Sequence, residues 1–156
     1  MWKVINQILT NQVLISATIG WCGAEVAKLI TNAVVTKKFD IKRLFGDGGM
    51  PSAHSSTVCS LAVATAFVCG IDSPIFALST FFAFITMHDA MGVRQETGKQ
   101  AQLLNKILEV SDITELLSEK KLKELVGHTP LQVFFGGVLG ILIGLAVNFL
   151  IFNPVG

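Results

Sequence analysis

The sequence predicts an all-α integral membrane protein, a helical bundle with about four transmembrane helices and a cytoplasmic amphipathic helical segment. Three observations lead there. Hydrophobic residues make up 51% of the 156, mean hydropathy is +0.62, and charged residues are only 15%, well below the roughly 25% of a soluble domain. The charges are also segregated, because hydrocarbon tolerates few ionised side chains. Finally, four apolar stretches approach the roughly 20 residues needed to cross a hydrocarbon layer about 30 Å thick.

The first stretch runs over residues 12–35. Glu25 and Lys28 interrupt it, and their i, i+3 spacing places them on one helix face as a pair that should turn inward. Residues 37–49 are polar and basic and end in Gly46-Asp47-Gly48-Gly49. The second and third spans, residues 52–70 and 74–92, form an antiparallel hairpin across Gly70-Ile71-Asp72-Ser73-Pro74. Ser73 is placed to cap the third helix and Pro74 to occupy its first position. Residues 94–127 are polar and helical in pattern, with Leu103, Leu104, Ile107, Leu108, Ile113, Leu116 and Leu117 forming an apolar stripe. The fourth span, residues 130–152, carries Gly136, Gly137, Gly140 and Gly144, small residues that let helices approach closely in lipid. No repeat or low-complexity tract divides the chain, which reads as a single membrane domain over 1–156.

With four crossings both polar segments fall on one side. Ten of the twelve Lys and Arg lie in or beside those segments, and only Lys3 lies opposite. The positive-inside rule puts that side in the cytoplasm, and the plasma membrane is the expected location. The N-terminus lacks the features of a cleavable signal. A net charge of +1 gives no basic surface for nucleic acid. Cys22, Cys59 and Cys69 lie in apolar segments without CxxC spacing, which argues against a disulfide framework or a zinc site.

The chemistry-bearing residues gather where spans meet the polar side. Gly48-Gly49-Met50-Pro51-Ser52-Ala53-His54-Ser55-Ser56 opens the second span. Free N–H groups, the helix dipole and Ser hydroxyls make such a helix start an anion site, and His54 one turn in can move a proton. The same spacing also fits a capped helix start with a surface His. Gly127-His128-Thr129-Pro130 repeats the design at the fourth span, with Thr129 as cap. At the end of the third span stand Asp89, which needs a partner at a membrane boundary, and Arg94, which can bind phosphate oxygens as a fork. The His88-Asp89 doublet does not suggest metal, because neighbours on a helix point about 100° apart. Glu25 and Lys28 read either as a buried structural pair or as a source of positive charge for the site.

Taken together these blocks resemble the divergent PAP2 family, related to the acid phosphatase and vanadium haloperoxidase superfamily. The resemblance rests on residues 48–55, on Asp89-Ala90-Met91-Gly92-Val93-Arg94 followed by Gly98, Gln100, Ala101, Leu104 and Asn105, and on residues 122–130, with Ala24, Glu25 and Lys28 as a weaker block. It implies a phosphatase acting through a phosphohistidine without metal or other cofactor. His128 would be the nucleophile and His54 the acid. Asp89 would assist at the catalytic centre. Ser52, Arg94, Lys28 and Arg43 would hold phosphate, and Gln132 would orient His128. Ala53 stands where the superfamily has Gly, and Gln132 where it has Asp. The superfamily's first motif is absent, and Arg94 lies far from His128 in sequence.

The reading that follows is a membrane-embedded phosphatase for a lipid phosphate monoester or diphosphate, its substrate class set by a site at the bilayer surface. Gln132 favours a different reading, a non-catalytic membrane protein that binds anionic headgroups or serves as an assembly partner. Homo-oligomerisation is left open.

Overall fold

The computed structural model describes residues 1–37, 49–110, 122 and 127–152, apart from the side chains of residues 94, 109 and 110. The described residues form an all-α membrane bundle without strands. A short amphipathic helix, α1 (Trp2–Leu9), buries none of its residues. Thr10 ends it, and Asn11 caps the next helix by accepting the Leu14 N–H at 3.0 Å. The long α2 (Gln12–Thr36) follows, then α3 (Ala53–Cys69), α4 (Pro74–Met91), α5 (Val93–Val110) and α6 (Pro130–Val147), which ends in a π-helical turn, Asn148–Phe152.

Local sequence sets these bounds. Ser52, Ser73 and Thr129 cap α3, α4 and α6, and Pro74 and Pro130 sit in the first turn, where a missing N–H costs nothing. Gly70, at φ +88°, closes α3 in a conformation that a side chain would strain.

Three segments are long and apolar enough to cross a membrane, namely Gln12–Thr36, Pro74–Leu108 and Pro130–Phe152. The shorter α3 has 17 residues, a rise of about 25 Å against a hydrocarbon layer of about 30 Å. It can be short because it is the central helix, packed against α2, α4 and α6.

The packing around α3 is a zipper of small residues. Ser52, Ser56 and Ser60 recur every fourth position and face Gly136, Gly140 and Gly144 of α6. A Cβ on Gly136 would overlap the Ser52 carbonyl oxygen, and one on Gly140 would overlap that of Ser56 and sit 2.7 Å from its Cα. Against α2 the same stripe is bonded as well as packed. The Ser56 hydroxyl donates to the Gly20 carbonyl at 2.7 Å, and the Ser16 hydroxyl to that of Ser60 at 3.3 Å. Such bonds hold helices together where lipid offers no hydrophobic drive between them. At the far end Gln12 bonds to the buried Asn148, and Phe67 meets Phe149 edge to face.

The apolar stripe expected over residues 94–127 falls partly within α5, where Leu103, Leu104 and Ile107 are exposed. Gly98, Ala101 and Asn105 are the buried stripe of that helix. Small residues permit close approach, so α5 turns them inward and leaves its large apolar side chains for a membrane surface. Asn105 also clamps the chain beyond α5. Its amide donates to the Leu122 carbonyl at 2.9 Å, and its oxygen accepts the Leu122 N–H at 3.0 Å. Ile113, Leu116 and Leu117 lie outside the described residues, as does most of the basic segment 37–49.

Candidate active site

Four chain segments meet at one end of the bundle, and backbone bonds fix their register. The Ser52 N–H donates to the Gln132 carbonyl at 3.0 Å, tying the start of α3 to the first turn of α6. The His128 N–H donates to the Ala90 carbonyl at 3.0 Å, tying the approach to α6 to the last turn of α4. The Thr31 hydroxyl donates to the Met50 carbonyl at 2.6 Å, tying the segment before α3 to the end of α2.

This frame brings the two histidines together. Their ring centroids are 5.8 Å apart in an edge-on arrangement, within the roughly 10 Å that one phosphate and its hydrogen-bonded partners could bridge. His128 is buried, whereas His54 is exposed. The N-termini of α3 and α6 start beside them, so two sets of helix N–H groups and two positive dipole ends converge.

Gln132 sets the state of His128. Its side-chain oxygen accepts the Thr129 N–H at 3.1 Å and completes a capping box with the Thr129 hydroxyl, which accepts the Gln132 N–H at 3.3 Å. The backbone donor fixes which end of the amide faces inward, since only the oxygen can accept there. The same oxygen lies 3.2 Å from His128 Nδ1. An amide oxygen cannot donate, so Nδ1 is the donor in this contact, which leaves the lone pair on Nε2 whenever the ring is neutral.

The other expected residues divide. Ser52 is fully enclosed and already engaged, its hydroxyl accepting the Ser55 N–H at 3.4 Å. The expected Glu25–Lys28 pair forms at 2.9 Å inside the bundle, and the Lys28 stem packs on Gly49, whose φ of +97° leaves no room for a Cβ. Asp89 is half-buried next to Ala90, the residue that anchors His128. The Arg94 side chain and all of Arg43 lie outside the described residues.

Two buried atoms were not expected from the sequence. Ser55 Oγ and Glu25 Oε2 have no hydrogen-bond partner among the described residues. Ser55 lies in the first turn of α3 and is fully buried, and its hydroxyl still has a proton to donate. Nothing in the spacing marks it out from its neighbour Ser56, which is satisfied by Gly20. Among the described residues no three His, Cys, Asp or Glu side chains cluster as metal ligands would.

A family model described as the divergent PAP2 family matches residues 9–143. The chain is 41% identical over 154 residues, 92% of its own length and 98% of the other's, to the "Uncharacterized membrane protein YuiD" of Bacillus subtilis (strain 168). No solved structure matches.

Proposed function

This chain belongs to the divergent PAP2 family, and from that premise we propose that it is a membrane-embedded phosphatase hydrolysing a lipid phosphate monoester or diphosphate through a phosphohistidine. The observation that carries the reading is the histidine pair at two converging helix N-termini, with Gln132 holding His128 in the tautomer a nucleophile needs. The Nε2 lone pair of His128 attacks phosphorus and forms an N–P bond as the ester P–O bond breaks. The leaving oxygen takes a proton from His54. Water then attacks the phosphohistidine, giving its proton to His54 and releasing phosphate, and His128 is restored. Helix N–H groups and the Ser55 hydroxyl stabilise the phosphoryl oxygens, with Arg94, Lys28 and Arg43 as the proposed cations and Asp89 as a proposed support for the histidines. Ser52 acts from behind, by fixing the start of α3.

Release of phosphate from a panel of lipid phosphates by the purified protein in micelles, with chelator present, tests this. Wild-type protein should turn over at least one of them. His54→Ala should slow it by roughly 10²–10⁴-fold, and less for substrates whose leaving groups need no proton. Gln132→Glu keeps an acceptor oxygen facing Thr129 and His128 and adds charge that stabilises the charged ring, so turnover should hold or rise. A neutral amide at residue 132 stabilises that charged ring less than a carboxylate, which favours headgroup binding without chemistry. Binding to anionic vesicles, with no turnover by wild type or Gln132→Glu, would establish that second reading instead.

We place the site on the cytoplasmic face, since ten of the twelve Lys and Arg lie in or beside the two polar segments. In a background without native cysteines, Phe45→Cys and Glu115→Cys should resist labelling by an impermeant maleimide added to intact cells. Ready labelling at either would reverse the orientation.

A further inference from the structure

A groove of about 380 Å³ runs between α4 and α6. Met87 and Met91 of α4 line it, with Pro130, Val133, Gly137 and Ile141 of α6. The buried Cys59 of α3 adds to the lining, and the largely exposed Phe84 and Phe134 flank it. One end lies beside the histidine site. Met91 is next to Ala90, whose carbonyl holds the His128 N–H, and Pro130 stands two residues after His128. From there the lining continues to Ile141. Eleven helical steps of about 1.5 Å make that about 16 Å, half of a hydrocarbon layer of about 30 Å and so the depth of one leaflet.

We propose that this groove holds the hydrocarbon chain of a single-chain lipid phosphate, with the phosphate at His54 and His128 and the chain lying along α6 as far as Ile141. The inference rests on the phosphate reading of the histidine site and adds the substrate class. Nearness to that site favours this occupant over bulk lipid, since a chain seated in the groove can place its polar end beside the two rings. Its volume is at the small end of ligand sites, which suits one chain better than two. Its surface is apolar apart from His88, which lies toward the site end. The two methionines are adaptable walls that can follow chains of differing shape. Gly137 leaves open a space that a side chain would take. A Cβ there would meet Cys59 Sγ at 3.6 Å and Met87 Sδ at 3.7 Å, in ordinary contact.

Photolabelling tests the groove apart from catalysis. A monoalkyl phosphonate of leaflet length, which cannot be hydrolysed, with a diazirine near its chain end, should label residues around Ile141 in wild type. Labelling elsewhere, or equal labelling by an uncharged alcohol of the same chain, would overturn the proposal. Equal labelling by a two-chain phosphatidate would overturn its single-chain claim. Kinetics supply the second arm. For wild type, kcat/KM for monoalkyl phosphates should rise with chain length until the chain reaches leaflet depth. Gly137→Leu should cut the ratio of long-chain to short-chain kcat/KM about tenfold, as expected when two or so methylenes lose their place. Gly137→Ala, which fits without displacement, should cut it less but in the same direction. An unchanged ratio in both variants would refute the groove assignment. Absence of turnover on every substrate would refute the phosphatase reading and leave the labelling result to decide the groove.

Discussion

On the proposed mechanism, His128→Ala should abolish turnover and any acid-labile phosphoprotein, a loss on the scale of roughly 10⁶-fold, as when a protein nucleophile is deleted. The tautomer adds a finer expectation. Because Nδ1 is committed to Gln132 at 3.2 Å, the phosphoryl group should be found on Nε2, which ³¹P NMR of trapped intermediate distinguishes from the Nδ1 adduct. The substitution removes the ring and its contact with Gln132 but keeps the bond that anchors the segment, from the His128 N–H to the Ala90 carbonyl. The variant should therefore fold, which thermal unfolding in detergent checks. A folded His128→Ala protein that still releases phosphate, or an intermediate phosphorylated on Nδ1, would remove the proposed mechanism.

The local structure at this end of the bundle was largely visible in the sequence, and for physical reasons. Pro74, Pro130 and the Ser and Thr residues before them announce helix starts by local stereochemistry, so the ends of α4 and α6 could be read without tertiary information. His128 and Gln132 are one helical turn apart, so their meeting follows from the helix itself. What could not be read depends on contacts between distant segments. The spacing of Ser52, Ser56 and Ser60 is plain once seen, but its match to the glycines of α6 exists only in the packed bundle. The same holds for the orphaned Ser55 hydroxyl and for the clamp that Asn105 makes on Leu122. Nothing in the spacing announced α1, whose eight residues are too few for helical periodicity to be read with certainty. It did place the apolar stripe of α5, but periodicity alone could not say that the small residues would face inward.

Gly140→Ala should be the most damaging small substitution in the fold. The added methyl meets backbone, the carbonyl oxygen, Cα and carbonyl carbon of Ser56, and neither helix can yield without moving the other. Overpacking of this kind costs about 1–3 kcal/mol, and more where only backbone can give. The comparison with Gly137→Ala, three residues away on the same helix, makes the test internal. There the methyl meets two sulfur atoms at 3.6 and 3.7 Å, so stability should change by no more than about 0.5 kcal/mol. Thermal unfolding of both variants in one detergent decides it, and equal losses would refute the register of α3 on α6. Because Ser52 donates its N–H to Gln132 along this same seam, Gly140→Ala should also depress activity in protein that remains folded.

The zipper also has a consequence in time. Ser52 and Gln132 are roughly eighty residues apart, and a ribosome needs about 4–16 s to make that length. Throughout that interval the nascent protein already holds its serine ridge and His54, while the glycine face that covers the one and the histidine that joins the other have yet to be made. The arrival of α6 thus completes the shielding of the central helix and the pairing of the two histidines in a single step. A chain that stalls before that segment is left with its serine ridge uncovered and its two histidines apart.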